Sequence, residues 1–468
     1  EVMEQILTNE AKIPRRITFL KPVSSAIAIG TGGPFGAEGP IKATGGALGS
    51  WLGQVIRVTA SERKTLLAAG AAAGMTAIFG TPIAAVLIAI ELLLFEYRAR
   101  SVVPVAIASA VAGGLRAILH GPGAVFAMPD VDPNWITSVV AFLIGGVVGV
   151  VSVYVTKVVY WIEDWFEELP IHWMWWPALG AIAVGVIGVF APRTLGVGYD
   201  NIEGALAGVF TWKALIVLVV AKFLSWAIAL GTGTSGGTLA PLMTFGSGIG
   251  WLLAAACAAI APHAGIDPRV GALVGMTAMF AGASRALMAS IVFALEATQQ
   301  IHAIVPIVAG VSLAYFASCL LMRTTIMTEK LVRRGVMVAG EYDVDPLSHM
   351  TVARVASAHV HMLSAEITVE QARAEIAKYQ HQAYPVVRNG QLVGVVTARE
   401  LLAASSTDRV EELVEREPVT VSPTDTARVA AHKMAENDVG RLVVVQGGMP
   451  CGIVTRSDLL GVFGKGSR

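Results

Sequence analysis

Charge is scarce in this chain of 468 residues: 15% are Asp, Glu, Lys or Arg while 54% are hydrophobic, against about a quarter charged in a typical soluble domain. That balance excludes an ordinary soluble protein and indicates a membrane protein with something attached. The 34 basic residues equal the 34 acidic ones, which points away from nucleic acid as a partner. Cysteine is nearly absent. Cys257, Cys319 and Cys451 lie in or beside apolar stretches without CxxC or Cys/His spacing, so neither a disulfide framework nor a metal site is expected. HExxH and paired carboxylates on a polar face are also missing, and the chain is not read as an enzyme. The opening EVMEQIL has neither an initiator Met nor a signal-peptide pattern and reads as a piece from inside a longer protein.

What is abundant is apolar sequence. Runs over 64–95, 101–119, 135–161, 175–191, 213–230, 270–295 and 301–322 cross or nearly cross a bilayer, for which a helix needs about 20 residues. Polar residues return from about residue 340, so a membrane domain over 1–335 is expected to precede a smaller polar part. Trp173, Trp175 and Trp176 read as an aromatic belt, with His120 and His172 at the interface. Lys330, Arg333 and Arg334 come directly after the last apolar run, which predicts that the polar part lies on the cytosolic side.

Two segments break the apolar pattern, "GTGGPFGAEGPIKATGGALG" and "GTGTSGGTLAPLMTFGSGIG". Non-helical backbone at membrane depth persists only where protein or a watery cavity satisfies its polar groups. Each segment has a Gly-rich turn, a helix entry, and small residues at helical spacing (Gly45, Gly46, Gly49; Gly246, Gly248, Gly250). Paired interruptions in two halves are the sign of inverted repeats whose half-helix N-termini present N–H groups to an anion. Close packing of small residues is the competing explanation. Glu38 stands in the first segment. An ionised carboxylate at a lipid-exposed helix centre costs about 3 kcal/mol, whereas one that mimics an anion in a cup of N–H donors is stabilised. Protonation would release it and let a mobile anion enter.

These residues resemble the CLC family of chloride channels and chloride/proton exchangers. GAEGP, Gly36 to Pro40, is similar to the family's GREGP motif, which implies that Glu38 is the gating and proton-accepting glutamate and that Gly36, Ala37 and Gly39 flank the anion path. GGTLAP, Gly236 to Pro241, resembles GGIFAP, whose backbone amides coordinate the anion. That role carries to Thr238 and Leu239, with Leu239 keeping an apolar wall. ASRALMASIVFALEAT resembles the late segment of the family. The implied fold is an all-α, inverted-repeat membrane domain that forms a homodimer with a pore in each subunit, sitting in the cell membrane and moving chloride or a related anion together with protons.

The departures bear on mechanism. Met327 stands where the family's last pore helix carries a Tyr whose hydroxyl touches the central anion, and a thioether cannot donate a hydrogen bond. Leu92 occupies the position of the internal proton-accepting glutamate, whereas Glu91 matches a preceding, structural one and Glu96 lies a turn further on. The loss at Leu92 favours a passive gated channel; the retained Glu38 and the short loops favour exchange. Glu1 resembles the end of the family's GSGIPE motif, which would put the inner anion-site serine before this sequence.

The polar part contains a repeat. "AEIAKYQHQAYPVVRNGQLVGVVTARELL" aligns with "AHKMAENDVGRLVVVQGGMPCGIVTRSDLL", and Gly394 and Gly452 set a period of 58 residues. Each unit reads as helix, strand, tight turn, strand, helix, and the pair resembles tandem CBS domains over 345–405 and 410–464, a small α/β part on the cytoplasmic side. Such pairs often bind adenine nucleotides, and the matching positions are Thr397 with Glu400 and Thr455 with Asp458. Thr with an acid three residues on is also an ordinary helix cap that needs no ligand. No cofactor is otherwise required.

Overall fold

The computed structural model describes residues 1–468 except 1, 10, 57, 122, 235, 336–346, 348–349, 359, 380, 415 and 465–468. Glu1 therefore lies outside the described residues. The chain divides into two compact units, 1–342 and 343–468.

The first unit is helical. In order it contains α1 (Val2–Thr8), α2 (Arg15–Gly30), α3 (Glu38–Val55), α4 (Ala60–Phe79), α5 (Pro82–Ala89), α6 (Ala99–His120), α7 (Trp135–Glu167), α8 (Trp176–Phe190), α9 (Tyr199–Leu206), α10 (Trp212–Gly231), α11 (Leu239–Ile260), α12 (Pro268–Ser284), α13 (Leu287–Thr298), α14 (Ile304–Leu321) and α15 (Glu329–Arg333). Among the described residues, six stretches are long and apolar enough to span a membrane: α6, α7, Trp173–Phe190, α10, α11 and Ile301–Leu321. Their outward faces carry large apolar side chains such as Ile118, Phe190 and Leu320, the pattern of lipid-facing surface.

Two of the apolar runs are not continuous helices. The 64–95 run breaks at Gly80, which takes φ 61° at the end of α4, and Pro82 then opens α5. Gly tolerates the left-handed conformation and Pro suits a first helical turn. The 270–295 run breaks at Arg285, also left-handed at φ 59°. No glycine marks that break. Instead the Arg285 guanidinium donates to the carbonyls of Ser318 (3.2 Å) and Met322, satisfying the C-terminal end of α14.

The two halves repeat each other. Gly30, Gly32 and Gly36 have counterparts 201 positions later in Gly231, Gly233 and Gly237, and Glu38 opens α3 as Leu239 opens α11. A Cβ on Gly45 or Gly49 would lie 2.2 or 2.1 Å from the carbonyl oxygen of Gly70 or Leu66, and one on Gly246 or Gly250 would lie 2.6 or 2.1 Å from that of Gly275 or Gly271. Both helix pairs, α3 with α4 and α11 with α12, thus approach backbone to backbone. The packing reading of the glycines and the repeat reading are both realised in the same residues.

The second unit holds two three-stranded sheets. In the first, β1 (Leu363–Ser364) runs parallel to β2 (Ala383–Arg388), which pairs antiparallel with β3 (Gln391–Thr397). In the second, β4 (Thr420–Val421), β5 (Arg441–Gln446) and β6 (Met449–Thr455) repeat that order. The hairpin turns have both central residues at positive φ, Asn389 with Gly390 and Gly447 with Gly448, as type I′ turns demand. The short parallel strands β1 and β4 were not legible in the repeat. Nor was an exchange of segments: Val352 packs in the core of the second sheet and Val410 in that of the first.

Candidate functional site

The two interrupted segments meet. Gly36 N–H donates to the Gly237 carbonyl (3.1 Å) and Gly237 N–H donates to the Gly36 carbonyl (2.9 Å), a reciprocal bridge between stretches far apart in sequence. It puts the starts of α3 and α11 next to each other. Glycine is required on steric grounds: a Cβ on Gly237 would come within 2.4 Å of the Gly36 carbonyl oxygen and 2.6 Å of the Glu38 carboxyl, and one on Gly236 within 2.1 Å of the Phe35 ring.

Glu38, the first residue of α3, is 2% exposed. Its Oε1 accepts hydrogen bonds from the backbone N–H groups of Leu239 and of Ala240, the latter at 3.1 Å. These are the first amides of α11, which have no partner within their own helix. The partial positive charge of a helix N-terminus stabilises a carboxylate there. Oε2 is buried and has no partner among the described residues, so one oxygen is engaged while the other is free to take a proton.

The amides that meet Glu38 are those of Leu239 and Ala240; Thr238, which the motif also suggested, is the residue before the helix. Leu239 is not among the residues that line the cavity beside Glu38. Its side chain is fully buried in the hydrophobic core.

A cavity of about 390 Å³ is lined by Glu38, Gly39, Lys42, Leu92, Thr238 and Met327, among others. Met327 and Leu92, two of the positions at which the sequence departs from the family pattern, thus share one cavity with Glu38. Gly36 and Ala37 lie at the bridge and at the turn into α3 rather than along this cavity. Tyr160 of α7 also lines it and donates its hydroxyl to the Ile326 carbonyl (2.9 Å). Sequence reasoning missed Tyr160 and Lys42. The signal for Lys42 was available, since it follows Glu38 by four residues on the same helix, and i,i+4 residues share a face.

Glu91 binds elsewhere: its carboxylate accepts from the N–H groups of Met288 and Ala289, each at 3.1 Å. A further buried cation, Lys222 in α10, donates to the carbonyls of Thr194 (2.9 Å) and Gly196 (2.7 Å) and so fixes the loop before α9. Its place inside the run ALIVLVVAKFLSW was the cue, because an intramembrane charge has a partner.

In the second unit, Thr397 N–H donates to Glu400 Oε2 (2.7 Å) and Glu400 N–H to Thr397 Oγ1 (3.2 Å). Thr455 and Asp458 form the equivalent pair, at 2.8 and 3.2 Å. All four residues are therefore engaged as helix caps. Thr397 and Glu400 also line a cavity of about 570 Å³ with residues of both repeats, including Arg416, Asn437 and Arg441. Among the described residues, no group of His, Cys, Asp and Glu could hold a metal ion.

Comparisons with known proteins agree with this architecture. The chain is 31% identical over 290 residues to the H+/Cl− exchange transporter ClcA of Vibrio vulnificus, covering 60% of this chain and 62% of that protein. It is 29% identical over 326 residues to ClcA of Vibrio cholerae, covering 66% and 70%. The chain thus spans less than two thirds of the length of the first of these relatives. Among solved structures, a slow cyanobacterial Cl−/H+ antiporter superposes with a TM-score of 0.66 at 24% identity, over 72% of this chain and 81% of that one. A eukaryotic CLC transporter gives 0.54 at 21%, over 97% and 86%, and both likenesses concern the fold alone. CBS domain models match residues 352–407 and 410–465. A model described as voltage gated chloride channel matches residues 1–319, and the chain belongs to that family, the CLC proteins, with two CBS domains at its C-terminal end.

Proposed function

We propose that this chain carries chloride or a related monovalent anion across a membrane in exchange for protons, with Glu38 as the group that alternates between the two. The observation that carries this reading is the Glu38 carboxylate seated on the N–H groups of Leu239 and Ala240. A carboxylate and a halide compete for the same donors. Protonation of Oε2 removes the negative charge, weakens the hold of the amides, and frees them for a mobile anion. Return of the carboxylate expels the anion and leaves the proton on the other side. Gly36, Ala37 and Gly39 serve this exchange by keeping the backbone bare around the carboxylate.

A passive voltage- or pH-gated chloride channel is the second reading, and a specific observation favours it. Leu92 puts an apolar side chain in the cavity wall where an internal proton acceptor would be needed. The exchanger reading rests on the similarity to exchange transporters and on a cavity large enough for water to carry protons past that point. By family resemblance we further propose a homodimer in the cell membrane with the CBS pair on the cytoplasmic face. An adenine nucleotide is the proposed ligand of that pair, at Thr397 with Glu400, which line a cavity shared by residues of both repeats, and at Thr455 with Asp458.

The deciding experiment uses the full-length protein in liposomes under a chloride gradient, with external pH recorded and Glu38→Gln in parallel. Proton movement that follows chloride and disappears in the variant supports exchange. Chloride flux without proton movement makes the protein a channel, and no chloride flux at all removes both readings.

A further inference from the structure

Four cationic side chains line the cavity that Glu38 and Met327 share: Lys21, Lys42, Lys330 and Arg334. Lys330 is paired with Glu163, Arg334 with Glu4 (2.5 Å), and Lys21 is likewise engaged. Lys42 differs, because its ammonium makes no hydrogen bond or ion pair with any described residue. It is half-buried on α3, one turn beyond Glu38 and on the same helix face.

The cavity has no hydroxyl at Met327, which leaves a gap that this ammonium fits; the threonine hydroxyls of the cavity are those of Thr234, which bonds Thr232 (2.8 Å), and Thr238 at the entry to α11. Met327 has a thioether, which cannot donate. Tyr160 has one hydroxyl proton and gives it to the Ile326 carbonyl. An ammonium offers three donors and a full charge, and a lysine at membrane depth is not left without a counter-charge.

Resting on the transport reading above, we propose that Lys42 is an anion-coordinating residue of the pathway. Its ammonium faces the Glu38 carboxylate when that group holds the amides of α11, and it faces the mobile anion when the carboxylate is protonated and displaced. One positive charge thus serves both occupants, and the net charge of the cavity is the same in either state. Lys42 takes over, from the opposite chemical direction, the coordination that a hydroxyl at Met327 would supply.

The test is chloride affinity, measured by calorimetry on the full-length protein in detergent, for the parent and for Lys42→Met, Lys42→Gln and Lys42→Arg. Removing the charge should weaken chloride binding at least about tenfold, given the strength of a close ionic contact in a partly buried site, whereas Lys42→Arg should stay within about threefold. Lys42→Gln keeps a polar side chain and decides the matter if Lys42→Met does not purify as a monodisperse species. Chloride affinity unchanged in the neutral variants, with the parent binding and transporting chloride, overturns the assignment of Lys42 alone. A parent that neither binds nor moves chloride overturns the transport reading together with it.

Discussion

Glu91 and Glu296 cap each other's helices. Glu91, just beyond α5, accepts from the first amides of α13 at Met288 and Ala289, and Glu296, near the end of α13, accepts from the first amides of α5 at Ile83 (3.0 Å) and Ala84 (2.8 Å). The two residues are 205 positions apart, the same interval that separates Gly80 from Arg285. A duplicated half has converted one capping device into a reciprocal clasp.

This clasp makes a stability prediction. Glu91→Gln and Glu296→Gln should each cost about 1–2 kcal/mol, the range of a charged cap or hydrogen bond, with no loss of selectivity among anions. Thermal unfolding of the purified variants, read beside chloride flux, checks both halves of the statement. A variant that keeps its melting temperature and loses flux would give Glu91 a part in transport instead.

Glu38→Gln keeps the size of the side chain and removes the titrating proton. Chloride flux should become independent of pH, whereas the parent should gain flux on acidification if protonation releases the carboxylate from the amides of Leu239 and Ala240. A pH series of flux from pH 4 to 8, within about the range that carboxyl groups in such sites cover, measures it. A steep acid activation that survives in the variant would move the pH sensor to another residue.

Gly36→Ala should partly imitate that variant. The added methyl would lie about 2.0 Å from Glu38 Oε2, a distance that forces the carboxylate to move. Protein yield and melting temperature should fall, and the flux that remains should respond less to pH than in the parent. Full pH response in this variant would mean that the carboxylate works from a different position.

Leu239→Ala addresses packing more than the pathway. The leucine side chain is fully buried in the core, and a large-to-small change of this kind costs about 2–5 kcal/mol, while its N–H remains. The melting temperature should drop sharply with the anion preference retained, as competition between chloride and nitrate would show.

Much of this was legible in the residues. GAEGP and GGTLAP announced the two half-helix entries because glycine, proline and a lone carboxylate in apolar sequence have few other uses, and the 58-residue repeat gave the strand and turn order of the second unit. The breaks at Gly80 and Arg285 were hidden inside apolar runs, since a left-handed residue leaves no hydrophobic signature. Lys42 and Tyr160 were passed over because each is unremarkable in its own segment and acquires meaning only when α3, α7 and the 326–327 turn close around one space. Leu239 was expected to act through its backbone amide, and that amide is what meets Glu38.

The reciprocal bonds between Gly36 and Gly237 have a kinetic side. They fasten the two helix entries into one stiff frame, so on the proposed reading the working part is a single side chain with a few rotatable bonds. Reorienting such a part takes far less time than the microseconds to milliseconds of a domain swing. The pace of turnover would then be set by how often a proton reaches Oε2, and the protein would behave less like a rocking machine than like a titration carried out one molecule at a time.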